Sequence, residues 1–282
     1  MLRPIIARFP KLAITYLFLR DSSSLEDTPK KTPLGFKFIG NQSMQNGKFE
    51  PDESSIVTQL LPKVDMVINV GANIGYYCCL ALSHKKHVVA FEPINLNVRY
   101  LLKNIKENGW GAQIEIFPIA LSDKIDVMKM YGGGTGASLL KGWANIPDFY
   151  SSLVPCSTLN NVLGTKFQGK KILMIVDIEG AEKMMLEGAS IFMEMKPKPI
   201  WLIEISIFEH QPKGVDINPN LFSTFQMFWA QGYESWTADK KCKEVKAEEI
   251  MKIIQDKQDT LLTHNFIFIE KSRRNELNFL FK

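Results

Sequence analysis

From Asp52 onward the chain repeats one unit: a short apolar run, a turn, and a segment with helical spacing. The runs are Val64–Val70, His87–Phe91, Ile114–Leu121, Ile172–Ile178 and Ile200–Ile205. Strands covered by helices on both faces read this way, because neither face meets water. Between the runs, Val98, Leu101, Leu102 and Ile105 share a helix face, and Gly109 stands where a C-terminal cap belongs. Ala181, Met184 and Met185 form a second such face; Leu221, Phe225, Phe228 and Trp229 form a third. The order indicates a doubly wound α/β fold with an open parallel sheet. Two further strands, Tyr233–Ala238 and Asn265–Ile269, flank a helical stretch around Ile250, Ile253 and Ile254. The expectation is a seven-stranded, mostly parallel, Rossmann-like sheet with helices on both faces and an antiparallel last strand.

Ahead of this pattern, residues 1–48 predict an N-terminal helix, a linker over Asp21–Lys31 and a small cap with glycines at Gly35, Gly40 and Gly47. Residues 49–282 form the main domain. Leu2–Leu19 is apolar but interrupted by Arg8, Pro10 and Lys11, too broken to span a bilayer. Packing on the body and contact with a membrane surface remain its two readings. The formal charge of +4 comes from interspersed residues, without a basic run, and points away from nucleic acid. Cys78, Cys79, Cys156 and Cys242 form neither a CxxC pair nor a disulfide framework. They predict buried reduced thiols and a cytoplasmic protein, peripheral to a membrane if the N-terminus touches one.

The sharpest local feature is Asn69-Val70-Gly71-Ala72-Asn73-Ile74-Gly75, which follows the first strand and opens a helix. In open α/β sheets, ligands bind beyond the carboxyl ends of the strands at the topological switch point. A dinucleotide fingerprint requires G-x-G-x-x-G, and Asn73 occupies the middle glycine position. Glu92, in Phe91-Glu92-Pro93, ends the second strand, where a carboxylate can accept hydrogen bonds from ribose hydroxyls. Ala120-Leu121-Ser122-Asp123 follows the third strand and could border an adenine. Asp177-Ile178-Glu179-Gly180-Ala181-Glu182 ends the fourth, and strand alternation would send Asp177 and Glu179 to one side. Those carboxylates suit a ligand ammonium, a divalent metal or a substrate hydroxyl, whereas Glu182 suits a helix N-terminus.

The segments VINVGANIGYY, FEPINLNVRYLLKNIKENG, IALSD, GGGTGASLL and MIVDIEGAEKMMLEGA together resemble the FkbM family of methyltransferases over roughly Phe49–Ser206. The resemblance implies a class I methyltransferase fold and S-adenosylmethionine as methyl donor. It implies hydroxyl acceptors on sugars, glycans or other small metabolites. By position, Gly71, Asn73 and Gly75 would surround the donor's methionine part, Glu92 its ribose and Ser122 its adenine. Asp177 would face the transfer centre. The family's Asp stands as Asn69 here, where an acid helps to bind the donor's amino group; its Leu-Asp after the glycine-rich stretch is Leu159-Asn160.

A hydroxyl acceptor benefits from a base, and Asp177, Glu179, Glu204 and His210 all fall at or beyond strand ends. A divalent metal could instead polarise the acceptor. Tyr131–Gly136 reads as a mobile loop over the site, or as a flexible insertion. Two other function classes stay open: a binding or scaffold protein on a degenerate methyltransferase fold, favoured by Asn69, and a nicotinamide-dependent oxidoreductase, disfavoured by Asn73.

Overall fold

The structure is a computed structural model describing residues 28–280. The expected helix over Leu2–Leu19 and most of the expected linker lie outside the described residues. The chain enters through paired two-residue strands β1 (Lys30–Lys31) and β2 (Lys37–Phe38), then helices α1 (Gln42–Gln45) and α2 (Pro51–Leu60). Next come β3 (Met66–Val70), α3 (Tyr76–Ser83), β4 (His87–Phe91), α4 (Asn95–Glu107), β5 (Ile114–Phe117) and β6 (Ala120–Leu121). A hairpin-like insertion follows, β7 (Asp126–Tyr131) and β8 (Ser151–Ser157), before α5 (Leu159–Leu163) and β9 (Ile172–Val176). Helices α6 (Glu182–Glu187) and α7 (Ser190–Glu194) lead to β10 (Ile200–Glu204). Then come α8 (Leu221–Ala230), β11 (Tyr233–Thr237), β12 (Glu244–Val245), α9 (Ala247–Asp256) and β13 (Asn265–Glu270), followed by 3-10 helical turns over Lys271–Leu280.

The main sheet has the order β12-β11-β13-β10-β9-β3-β4-β5. Strands β5, β4, β3, β9 and β10 are mutually parallel. The last strand, β13, slots antiparallel between β10 and β11. Seven strands were expected from the apolar runs; the eighth, β12, has two residues, too few to leave a pattern. One strand was also expected over Ile114–Leu121. The structure breaks it at Pro118: β5 ends at Phe117 in the main sheet, and β6 belongs to a separate sheet of order β6-β8-β7. Proline has no N–H to give the ladder, so the run cannot continue as one strand.

Both faces of the main sheet are covered. On one, Val67, Val88, Leu173 and Leu202 pack with Val57, Leu80 and Leu101 from α2, α3 and α4. On the other, Ile68, Val89, Met174 and Trp201 pack with Leu163, Met185, Phe225 and Ile250 from α5, α6, α8 and α9. Alternate residues of each strand feed opposite cores, which is the period of a pleated strand. Phe36, Phe38 and Met44 of the expected cap join the first core. Their segment is pinned by Asn104 of α4, whose side chain accepts from Ile39 N–H at 2.6 Å and donates to the Ile39 and Ile74 carbonyls. Leu102, expected on the core face of α4, is half exposed instead. No helix among the described residues is long and apolar enough to cross a membrane.

Candidate active site

Crossing from β4 back through β3 to β9 reverses the winding of the sheet, and a cleft opens at the carboxyl ends of those three strands. It is walled by the turns after β3, β4 and β9, by Ile119–Leu121 and by the loop after β7.

The turn after β3 builds the floor. Gly71 has φ +82°, and a Cβ there would lie 1.8 Å from the Asp177 carbonyl oxygen. Only glycine lets this turn lie against the end of β9. The Gly71 and Ala72 N–H groups donate to the Phe91 carbonyl at 3.0 and 2.9 Å, tying the turn to β4. Asn73 follows with φ 50° and lines the cleft. Gly75 does not line it. Gly75 caps α3 with φ +90°, and a Cβ there would meet Leu101 Cδ1 at 2.3 Å, so its service is to helix packing. Asn69 also lies outside the lining: it is buried, and its amide donates to Cys78 Sγ at 3.5 Å.

Glu92 is 4% exposed and is held by three donors. Oε2 accepts from Asn73 N–H at 2.8 Å; Oε1 accepts from Ile94 N–H at 2.8 Å and from Asn97 Nδ2 at 3.2 Å. A carboxylate has room for about four, so roughly one site stays open to a ligand. Burial raises Glu92 to about 7 against the pull of its hydrogen bonds. Ser122 is fully buried and turns away from the cleft, its hydroxyl donating to the Lys124 carbonyl; its neighbours Ile119, Ala120 and Leu121 supply an apolar wall.

Asp177 and Glu179 both line the cleft, but not through strand alternation. β9 stops at Val176, and Glu179 reaches the cleft through a left-handed turn at φ 56°. Asp177 N–H donates to the Val70 carbonyl at 3.0 Å, which fixes the turn against β3. Its carboxyl is pushed well up by burial and by the negative charges of Glu179, Glu50, Glu182 and Glu92. Glu204, at the end of β10, is pushed up by burial and by Asp177 and Glu179. Neither carboxylate has a hydrogen-bond or ion-pair partner among the described residues. Glu204 and His210 are not among the cleft-lining residues; His210 is exposed, its ring 6.0 Å from that of Trp143. Glu182 accepts from Gly180 N–H at 2.9 Å at the start of α6, the helix-terminal role its position suggested.

Three participants carried no sequence signal. Glu50, at the start of α2, accepts from Tyr77 Oη at 2.6 Å and faces the same acidic edge. Trp143 is 1% exposed; its indole donates to Glu179 Oε2 at 2.7 Å, and its ring lies against Gly180, where a Cβ would be 2.5 Å away. Asn97, from the first turn of α4, donates both to Glu92 and to the Gly134 carbonyl. Their contacts with Tyr77, Glu179 and Gly134, respectively, are long-range in sequence, beyond the reach of local spacing. Among the described residues no group of three or more His, Cys, Asp or Glu side chains is arranged to hold a metal ion.

The family model described as the methyltransferase FkbM domain matches residues 69–256, more than half of the chain. The chain belongs to the FkbM methyltransferase family. No curated protein sequence gives a significant match. Among solved structures, a methyltransferase FkbM from Methylobacillus flagellatus KT is 17% identical with a TM-score of 0.35. The match covers 50% of this chain and 32% of that one, so the chain spans about a third of that protein's length. An O-methyltransferase from Bacillus cereus in complex with SAH is 8% identical, covering 90% of this chain and 88% of that one at a TM-score of 0.45. A putative O-methyltransferase from Klebsiella pneumoniae is 8% identical, covering 78% and 79% at a TM-score of 0.43. The main sheet of the chain is mixed and mostly parallel, with β13 reversed between β10 and β11.

The acidic edge gives the FkbM chain an unusual pH response. Glu92 and Glu182, each raised from 4.5 to about 7, keep protons in the folded state that the unfolded chain has released. Their stabilising effect is complete below about pH 4.5 and is lost as pH rises through 7. A shift of that size corresponds to roughly 3 kcal/mol per group. The ligand-free protein is therefore expected to be more stable at pH 5.5 than at pH 8. Urea midpoints measured at both values check this; a midpoint that rises with pH contradicts the assignment.

Proposed function

We propose that the FkbM chain is an S-adenosylmethionine-dependent methyltransferase acting on a hydroxyl of a sugar, glycan or related small metabolite. The observation that carries the reading is Glu92, buried at the end of β4 with one hydrogen-bonding site left open to a cleft floored by Gly71. The cleft would receive the donor's parts as follows. Glu92 would hold a ribose hydroxyl, and Ile94, Ile119 and Leu121 would flank the adenine. Gly71 and Asn73 would surround the methionine part. When bound, the donor supplies an already activated methyl group. The protein's own residues orient the acceptor and manage its proton. Asp177, and Glu179 after it, stand nearest for that task, in a cleft crowded with negative charge. A cation entering the cleft favours their ionised forms, and an ionised carboxylate can take the acceptor proton. The hydroxyl acceptor itself comes from the likeness to FkbM methyltransferases, and cytoplasmic action from four free, buried thiols.

Calorimetry with S-adenosylmethionine and its demethylated product tests the donor part. Binding of at least one below millimolar concentration is expected, and its absence for both overturns the reading. Glu92→Ala is expected to weaken donor binding by about 1.5–3 kcal/mol, the usual loss for a charged acceptor, with turnover at saturating donor much less affected. Unchanged affinity would reduce Glu92 to a structural carboxylate. Mass spectrometry of glycans from cells with and without the gene tests the acceptor. The expected result is a methyl group missing from one defined sugar.

A further inference from the structure

Asn97 is 2% exposed and sits in the first turn of α4, three residues beyond Ile94. Both contacts of its amide nitrogen are made to cleft walls that do not otherwise touch through hydrogen bonds: Glu92 Oε1 at 3.2 Å and the Gly134 carbonyl at 3.0 Å. Gly134 begins the single turn Gly134–Gly136 at the tip of the loop after β7, and with Thr135 and Ala137 it forms the cleft's outer wall. The base of that loop is already fixed. Tyr131 and Ser138 exchange backbone hydrogen bonds at 2.8 and 2.9 Å, and Gly132 N–H donates to the Tyr150 carbonyl at 2.8 Å. Its far side is hooked to the β9 turn by Ser138 Oγ, which donates to the Glu179 carbonyl at 2.6 Å. Among the described residues, Asn97 gives the tip between these anchors a side-chain hydrogen bond to the body of the domain.

A side-chain amide has two N–H groups, and here each has one acceptor. The two bonds cannot be optimised independently, because moving the nitrogen toward one acceptor takes it from the other. We propose that Asn97 is a positioning residue that couples the donor-side carboxylate Glu92 to the outer-wall loop Gly132–Gly136. A ligand that fixes Glu92 thereby fixes the loop, and a loosened loop loosens Glu92. This rests on the donor reading only for the identity of the ligand; the link between Glu92 and the loop is a property of the free protein.

The test combines amide hydrogen exchange, resolved by mass spectrometry, with binding of the demethylated donor product. Full-length parent, Asn97→Ala and Asn97→Ser are compared, since serine has one O–H and can satisfy only one of the two acceptors. In the ligand-free variants, exchange over 132–137 is expected to speed up about tenfold while β3 and β9 keep parental rates. Product affinity is expected to fall by about tenfold in the alanine variant, within the range for lost hydrogen bonds to a charged group. In the parent the product should slow loop exchange, and in both variants that slowing should be lost at equal ligand occupancy. Exchange that rises throughout the domain in step with a fall in Tm shows that Asn97 serves only packing, and overturns the proposal. Ligand protection of the loop that survives in both variants overturns it as well. If the product fails to bind even the parent, the donor reading falls, while the ligand-free exchange still decides whether Asn97 holds the loop.

Discussion

Asp177→Asn is expected to slow methyl transfer by about 10²–10⁴, the usual worth of a positioned acid–base group, while donor affinity stays close to parental. The same substitution is expected to stabilise the ligand-free protein. Asp177 directly follows β9 in a cleft where Glu179, Glu50, Glu182 and Glu92 all raise its pKa, with burial the largest cause. Asparagine keeps the shape and removes one negative charge from that crowd. Its backbone N–H still reaches the Val70 carbonyl, so the turn is retained. A gain of about 1 kcal/mol would raise Tm by roughly 2–4 °C in a domain of this size. Higher stability with lower turnover separates a chemical role from a structural one, because a residue that merely steadied the turn would lose both. Single-turnover rates, donor titration and thermal melts on one preparation measure all three quantities. Parent-like turnover would remove Asp177 from the catalytic group. Glu179 would then be tested next, since Glu204 and His210 lie outside the cleft lining.

How much of this was legible in the sequence follows from the range of the physics. The inner parallel strands were legible because they are buried on both faces, and burial writes itself into consecutive residues, as in Ile172–Val176. The cleft was legible close behind the strand ends: Gly71, Asn73, Glu92 and Asp177 all line it. It was not legible where a turn decides which way a side chain points. Asn69, Gly75 and Ser122 match family positions, yet here they serve Cys78, Leu101 and Lys124. Glu179 reached the cleft through a positive φ that no alternation rule anticipates. Glu50, Asn97 and Trp143 are absent from the sequence argument because their partners lie 27, 37 and 36 residues away. Spacing rules describe one helix or one strand; these contacts join different elements.

Gly71→Ala is expected to be the most damaging small substitution in the domain, and Gly75→Ala its natural control. Both glycines have similar left-handed backbones, φ +82° and +90°, so any L-residue at either site incurs the same conformational cost of about 1–2 kcal/mol. What differs is the neighbour. At Gly75 the added methyl meets Leu101 Cδ1 at 2.3 Å, the far end of a side chain that can change rotamer. At Gly71 it meets backbone: the Asp177 carbonyl oxygen at 1.8 Å and its carbon at 2.8 Å. That carbonyl cannot swing aside alone. The adjoining Asp177 N–H is bonded to Val70, and Val70 and Val176 are paired across β3 and β9 in the middle of the main sheet. Relief therefore requires the carboxyl ends of two central strands to part, opening the cleft floor and releasing Asp177 from its position. The total should exceed about 4 kcal/mol, the range reserved for strained or overpacked sites, against about 1–3 kcal/mol for Gly75→Ala. Urea unfolding of the two variants beside the parent gives the comparison directly. Donor binding should be lost in Gly71→Ala even where the protein still folds, because the floor and Asp177 move together. Equal destabilisation by the two substitutions would mean that backbone conformation alone sets the cost, and that β3 and β9 do not meet as tightly at this edge as their contacts indicate.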